Sequence, residues 1–160
     1  MNFLRPPGVF AEKDLRARCI ACGKCAQVCN NACIRLMPDS PFGPETPKVF
    51  HRTKPCILCM KCGEICPTNA LRKVSVKQAG MGFAELDRGR CVNYRRENPV
   101  MCWTCYERCP LKAEAIVLKG GRIPAVTEIC VGCGVCEYVC PVDAIHVTPS
   151  RRMKNGGSGK

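Results

Sequence analysis

Apolar positions in this chain come in short bursts, and each burst has the same kind of neighbour. The longest is of the size of Ala115-Ile116-Val117-Leu118, far below the ~18 consecutive apolar residues of a membrane helix. The bursts trail cysteine-containing stretches: PTNALRKVSV follows Cys66's Ile65-Cys66 pair, PLKAEAIVL follows Cys109 and PVDAIHV follows Cys140. Each reads as a turn, then a small residue, then a short β-type run. The stretch from Ala115 to Cys130 predicts a hairpin turning at Gly120-Gly121. Residues 37–55 are rich in proline and predict a loop, and NGGSGK at 155–160 predicts a flexible end.

The pattern is an internal repeat with a period of about 35–40 residues. Its four cysteine groups occupy 19–29, 56–66, 91–109 and 130–140. The first is Cys19-x2-Cys22-x2-Cys25-x3-Cys29, with Asn30 where the others carry proline. The second is Cys56-x2-Cys59-x2-Cys62-x3-Cys66-Pro67, and the fourth is Cys130-x2-Cys133-x2-Cys136-x3-Cys140-Pro141. The third opens its first gap to ten residues, Cys91-x10-Cys102-x2-Cys105-x3-Cys109-Pro110. A loop can close that gap, so Cys91 is expected to serve as first ligand; the rival reading makes it a bystander.

Composition agrees that cysteine replaces an ordinary core. Among 160 residues there are 17 cysteines but only five Phe, three Tyr and one Trp. A cysteine fraction this high marks a scaffold held by disulfides, zinc or iron–sulfur clusters, and spacing decides which. A [4Fe–4S] cubane presents four irons at tetrahedral corners, each needing one thiolate. C-x2-C-x2-C wraps one face and supplies three, with backbone N–H groups aimed at the sulfides. The fourth cysteine, expected at the start of a short helix that the following proline begins, ligates the other cluster of a pair. Zinc sites instead favour cysteine pairs about 12–20 residues apart. Cys33 is the one cysteine left over. It stands four residues after Cys29, where the second and fourth groups place Ala70 and Ala144, so it reads as a small buried hydrophobe. The rival reading has Cys33 replacing Cys29. His51 and His146 read as structural or surface residues, and Trp103 and Tyr106 as shields of a cluster from water.

Charge changes little once the clusters are counted. The formal charge is +12, but an oxidised cubane with four thiolates is about 2−, so four of them bring the total to about +4. Four of the cations in that total sit in the last ten residues, RRMKNGGSGK, so without them the cluster-loaded body is near zero. No nucleic-acid partner is expected, since no recognition helix or aromatic platform accompanies the basic excess. No Ser/His/Asp set, phosphate loop, flavin motif or nicotinamide motif is present, so no catalytic residue is expected.

The motifs resemble the four-cluster ferredoxin-type proteins of periplasmic nitrate reductase and methylamine utilisation, the NapG/MauM family. The resemblance runs from Leu4 to about Pro149. It rests on LRPPG at 4–8, ARCIACGKC at 17–25, MGFAELD at 81–87, CWTCYERCP at 102–110, IPAVTEICVGCGVCEYVC at 123–140 and AIHVTP at 144–149. Two features depart from the family: Cys59-x2-Cys62 is compact where the family has a longer gap, and the twin-arginine leader is missing ahead of LRPPG. The resemblance implies an intermediary that takes electrons from a membrane quinol dehydrogenase and passes them to a terminal reductase or dehydrogenase. It also implies nested pairing of the groups, first with fourth and second with third, with sequential pairing as the alternative.

The expected fold is therefore α+β: residues 1–150 form two ferredoxin-like modules, each binding a pair of [4Fe–4S] clusters, and 151–160 form a basic tail. The sixteen ligands are Cys19, Cys22, Cys25, Cys29, Cys56, Cys59, Cys62, Cys66, Cys91, Cys102, Cys105, Cys109, Cys130, Cys133, Cys136 and Cys140. The expected role is electron transfer, not turnover of a substrate. The alternatives are a freely diffusing cytoplasmic polyferredoxin and a structural zinc-binding module. With no apolar leader at MNFLRPPGVF the chain as written is expected to be cytoplasmic, or periplasmic if a twin-arginine signal has been trimmed. Truncation before Arg151 is expected to leave the iron content unchanged; loss of iron on truncation would make the tail structural.

Overall fold

The computed structural model describes residues 3–41, 43–95 and 100–149. The basic tail expected at 151–160 lies outside them. Twelve short elements follow in order: α1 (Glu12–Arg18), α2 (Lys24–Gln27), β1 (Ile34–Pro38), β2 (Glu45–Val49), α3 (Lys61–Ile65), β3 (Gly82–Leu86), α4 (Thr104–Arg108), α5 (Lys112–Ala115), β4 (Ile116–Lys119), β5 (Ile123–Val126), α6 (Val135–Val139) and β6 (Ile145–Pro149). Even α1 has only seven residues, and a helix below about 12 residues is marginal alone. Packing, not propensity, therefore holds each one.

The strands form three antiparallel two-stranded sheets, β1–β2, β3–β6 and β4–β5. The hairpin expected from Ala115 to Cys130 is β4–β5, with Lys119 opposite Ile123 and both Gly120 and Gly121 at positive φ. MGFAELD contains β3, which pairs with β6 from Gly82 opposite Pro149 to Leu86 opposite Ile145.

Two expectations fail. Residues 37–55 are not simply a loop: β1 and β2 pair from Ile34 opposite Val49 to Pro38 opposite Glu45. Proline misled because each sheet has only two strands. Every strand is then an edge, where a missing N–H breaks no ladder, as for Pro47, Pro124 and Pro149. Conversely, no strand forms after Cys66. That segment lies against the N-terminus instead, where the Arg72 N–H donates to the Gly8 carbonyl at 3.1 Å.

The core is thin. Leu4, Leu15, Leu71, Met81, Ile116 and Ile145 are its fully buried large side chains, and cysteines including Cys62, Cys105, Cys109, Cys133 and Cys136 belong to the same cluster. A buried charge network braces the N-terminal half. Arg5, only 5% exposed, donates to Glu12 at 2.8 and 2.7 Å, Asp39 at 2.9 Å, Thr46 at 2.9 Å and the Pro47 carbonyl at 3.0 Å. One guanidinium thus ties α1 to the turn end of the β1–β2 hairpin. Burial works against the Asp39 carboxylate, but hydrogen bonds from Arg5 and Thr46 outweigh it and hold its pKa at about 2.

That depressed pKa fixes a pH dependence. The stabilisation is complete above the unfolded value of 3.8 and disappears as pH falls through about 2. Arg5→Leu is expected to lower stability at pH 7 by about 2 kcal/mol, because it removes the charged hydrogen bonds to Glu12 and Asp39 and leaves Asp39 to Thr46, Arg16 and Lys48. The gap to the parent should narrow as pH drops toward 2. Arg5→Lys should recover only part of it, since an ammonium lacks the planar fork. Denaturant midpoints across pH test this, and a gap that does not narrow would refute the role of Asp39.

Candidate iron–sulfur centres

Each cysteine loop is built on the same backbone device. In the first, second and fourth groups the second and fourth residues after the leading cysteine are left-handed. These are Ala21 and Gly23 (φ 52° and 74°), Leu58 and Met60 (56° and 59°), and Gly132 and Gly134 (70° and 87°). Alternating hands curl the chain so that successive N–H groups face one side, a nest suited to negative charge. A non-glycine residue held there costs about 1–3 kcal/mol, so Ala21, Leu58 and Met60 mark places where the surroundings impose the turn.

The third group reaches the same end differently. Cys91 precedes a 3₁₀ turn, Val92–Tyr94, and Asn93 in that turn is fully buried. Its side-chain amide donates to the Cys102 and Arg122 carbonyls, both at 2.7 Å, and its oxygen accepts the Cys102 N–H at 2.9 Å. Asn93 thereby closes the ten-residue gap and sets Cys102 beside Cys91.

The short helices α2, α3, α4 and α6 carry the third cysteine of each group, Cys25, Cys62, Cys105 and Cys136, as their second residue. The fourth cysteine lies at the helix end, not at its start as expected: Cys66, Cys109 and Cys140 are C-caps of α3, α4 and α6. The following prolines lie in the turn beyond. Three residues after each fourth cysteine the chain is left-handed again, at Ala32, Asn69, Lys112 and Asp143. This turn swings downstream amides over the sulfur: Ala144 N–H reaches Cys140 Sγ at 3.2 Å and Leu71 N–H reaches Cys66 Sγ at 3.4 Å.

All sixteen expected ligands gather around four cavities. Cys19, Cys22 and Cys25 share one with Cys66. Cys56, Cys59 and Cys62 share one with Cys29. Cys130, Cys133 and Cys136 share one with Cys109, and Cys91, Cys102 and Cys105 share one with Cys140. The grouping is sequential, first with second and third with fourth, and it corrects the nested pairing. The cause is strand pairing. β6 follows Cys140 and is zipped to β3, with Asp87 N–H donating to the Ala144 carbonyl at 2.8 Å. Cys140 is thus held beside the Cys91 loop and away from Cys19.

The two halves meet at a defined seam. The Cys56 N–H donates to the Cys133 carbonyl at 3.1 Å. Beside it, buried Glu137 of α6 accepts from His51 Nε2 at 2.8 Å, Arg52 Nε at 2.7 Å and the Val147 N–H at 2.7 Å. Gly134 has no room for a side chain against His51. The structural reading of His51 fits this seam, whereas Glu137 was not anticipated; an acid between two ligand cysteines was the available signal. Of the expected shields, Tyr106 packs on the core while Trp103 keeps 41% of its surface exposed.

Electrostatics distinguish the sulfurs. Burial, then neighbouring cysteines, pushes Cys62 and Cys133 up to about 12. Burial leads a rise to about 11 in Cys25 and Cys105. Cys22 and Cys59 are exposed. Cys33 is buried, lines the second cavity, and has its Sγ 3.5 Å from that of Cys29. Hydrogen bonding with Cys56, then burial, raises the Cys33 pKa and keeps it a thiol.

The donor set fits [4Fe–4S] clusters: four expected ligand cysteines at each cavity, with Cys33 a fifth cysteine at the second, and walls otherwise mostly apolar. Among the described residues no three Cys, His, Asp or Glu side chains close on a single ion, and no helix is long and apolar enough to cross a membrane. The family model for a 4Fe-4S dicluster domain matches residues 18–70, and that for a 4Fe-4S binding domain matches 123–146. The methylamine utilization ferredoxin-type protein MauM of Methylorubrum extorquens is 38% identical over 98% of this chain and 77% of its own length. MauM of Methylobacillus flagellatus is 38% identical over 98% and 72%. The ferredoxin-type protein NapG of Escherichia coli is 36% identical over 91% and 70%.

If Asn93 is the clamp, Asn93→Ala should lower iron by about four atoms per chain, one cubane, with the remaining centres intact. Iron and sulfide analysis of anaerobically purified protein reads this directly. Full iron in the variant would show that Cys91 and Cys102 find each other unaided.

Proposed function

Because the chain belongs to the MauM and NapG family of ferredoxin-type proteins, we propose that it carries electrons through four [4Fe–4S] clusters set in a single row. The sixteen cysteines of the four cavities are the ligands, and the chain forms two modules with a cluster pair in each. A bound cluster supplies one-electron chemistry. The protein holds the thiolates apart, excludes water and offers backbone N–H groups to the sulfur. No substrate is turned over by the chain itself.

The order of the row follows from which groups adjoin. Cys25 lies close enough to Cys62 to disfavour its ionisation, which joins the first cavity to the second. The Cys56–Cys133 backbone hydrogen bond joins the second to the third. Cys105 acts likewise on Cys136 and joins the third to the fourth. The exposed Cys22 stands at one end of this row, a suitable place for exchange with a redox partner. We assign the partners as a membrane quinol-oxidising protein and a terminal reductase or dehydrogenase.

The carrying observation is the convergence of four sulfurs on each of four cavities. The parent protein is expected to hold about sixteen irons, four per cubane. Cys22→Ala and Cys66→Ala should each lose about four, and the double variant should lose no more than either, since both residues serve one cluster. A loss of about eight in the double variant would restore nested pairing, and zinc in place of iron would refute the function.

A further inference from the structure

The second cavity differs from the other three in holding a fifth cysteine. Cys33 Sγ lies 3.5 Å from Cys29 Sγ, within S–H···S range, and both line the same cavity. Its side chain is 1% exposed, so water does not compete for the proton. At the same turn position the second and fourth groups have Ala70 and Ala144, both buried. There the fourth cysteine takes its bond from a backbone N–H, Leu71 to Cys66 and Ala144 to Cys140.

A neutral thiol has one proton to give. With Cys29 and Cys56 both bound to iron as thiolates, Cys33 is the only thiol of the five able to donate. We propose that Cys33 is a positioning residue that donates its S–H to Cys29 Sγ, a ligand sulfur of the second cluster, and raises that cluster's reduction potential above what four thiolates alone would set. A hydrogen bond to a ligand sulfur withdraws negative charge and favours the more negative, reduced state. The tuned cluster is the one at the seam, because its ligand Cys56 also bonds to Cys133 across the two halves.

The inference rests on the cluster reading above, and the two fail separately. Absence of iron from the parent would overturn that reading; an iron-replete parent is the starting point here. The test is an electron paramagnetic resonance redox titration of the anaerobically purified holoprotein, its Cys33→Ala variant and its Cys33→Ser variant. Cys33→Ala should keep about sixteen irons and move one centre to lower potential. A tenfold change in its reduced-to-oxidised ratio corresponds to about 59 mV for one electron. Cys33→Ser restores a donor and should bring that centre back toward the parent value. Unmoved potentials in Cys33→Ala would overturn the proposal, as would a change in melting temperature alone. Loss of about four irons in that variant would show Cys33 to be a ligand and would equally overturn it.

Discussion

Four thiolates that converge without touching repel one another, and most of this structure is arranged around that repulsion. Burial and neighbouring cysteines hold Cys62 and Cys133 at about 12 and Cys25 and Cys105 at about 11, so the bare chain resists ionising the groups it gathers. Cationic iron reverses the sign of the local field. The backbone assists by presenting N–H groups, which demands left-handed residues at Ala21, Leu58 and Met60 despite their side chains. On the proposed reading, cluster binding and folding would be coupled. On that reading a cubane would take the place of aromatic bulk at the centre of each cavity, in a chain of 160 residues with few large apolar side chains.

Legibility in the sequence followed the range of the interaction. The four groups were readable because their spacing is local, and the β4–β5 hairpin was readable from Gly120-Gly121. The β1–β2 hairpin was hidden by Pro38, Pro41, Pro44 and Pro47, since nothing local says that a sheet will stop at two strands. Pairing of the groups was hidden for a related reason. It depends on β3 meeting β6 across the whole third and fourth groups, between Leu86 and Ile145, a long-range contact without a sequence marker. Asn93 was equally silent. A buried asparagine inside a variable gap looks like loop chemistry until both Cys102 and Arg122 are seen to use it.

The seam between the halves shows a different economy. Gly132 would meet the Gly82 backbone and Gly134 would meet His51 if either carried a side chain. The loop bearing Cys130 and Cys133 can therefore lie directly on its neighbours. Glu137 fills its hydrogen-bonding capacity from three directions, His51, Arg52 and the Val147 amide. A buried carboxylate so satisfied is specific more than it is strong. It fixes the approach of the second group to the third without requiring an apolar interface, which this chain lacks the residues to build.

Identical ligand sets do not make identical sites. The donors reaching the sulfurs differ from group to group: Leu71 N–H and the Thr68 hydroxyl at Cys66, the Thr104 hydroxyl at Cys102, Ala144 N–H at Cys140, and a thiol at Cys29. Exposure differs as well, with Cys22 and Cys59 open and the cysteines of the two C-terminal groups buried or half-buried. Hydrogen bonding and solvent access are two of the levers that set a cluster's potential. A row of chemically equal clusters would give an electron no preferred resting place. In the proposed row these hydrogen-bond donors, none of them a ligand, would break that equality while leaving the set of sixteen cysteines unchanged.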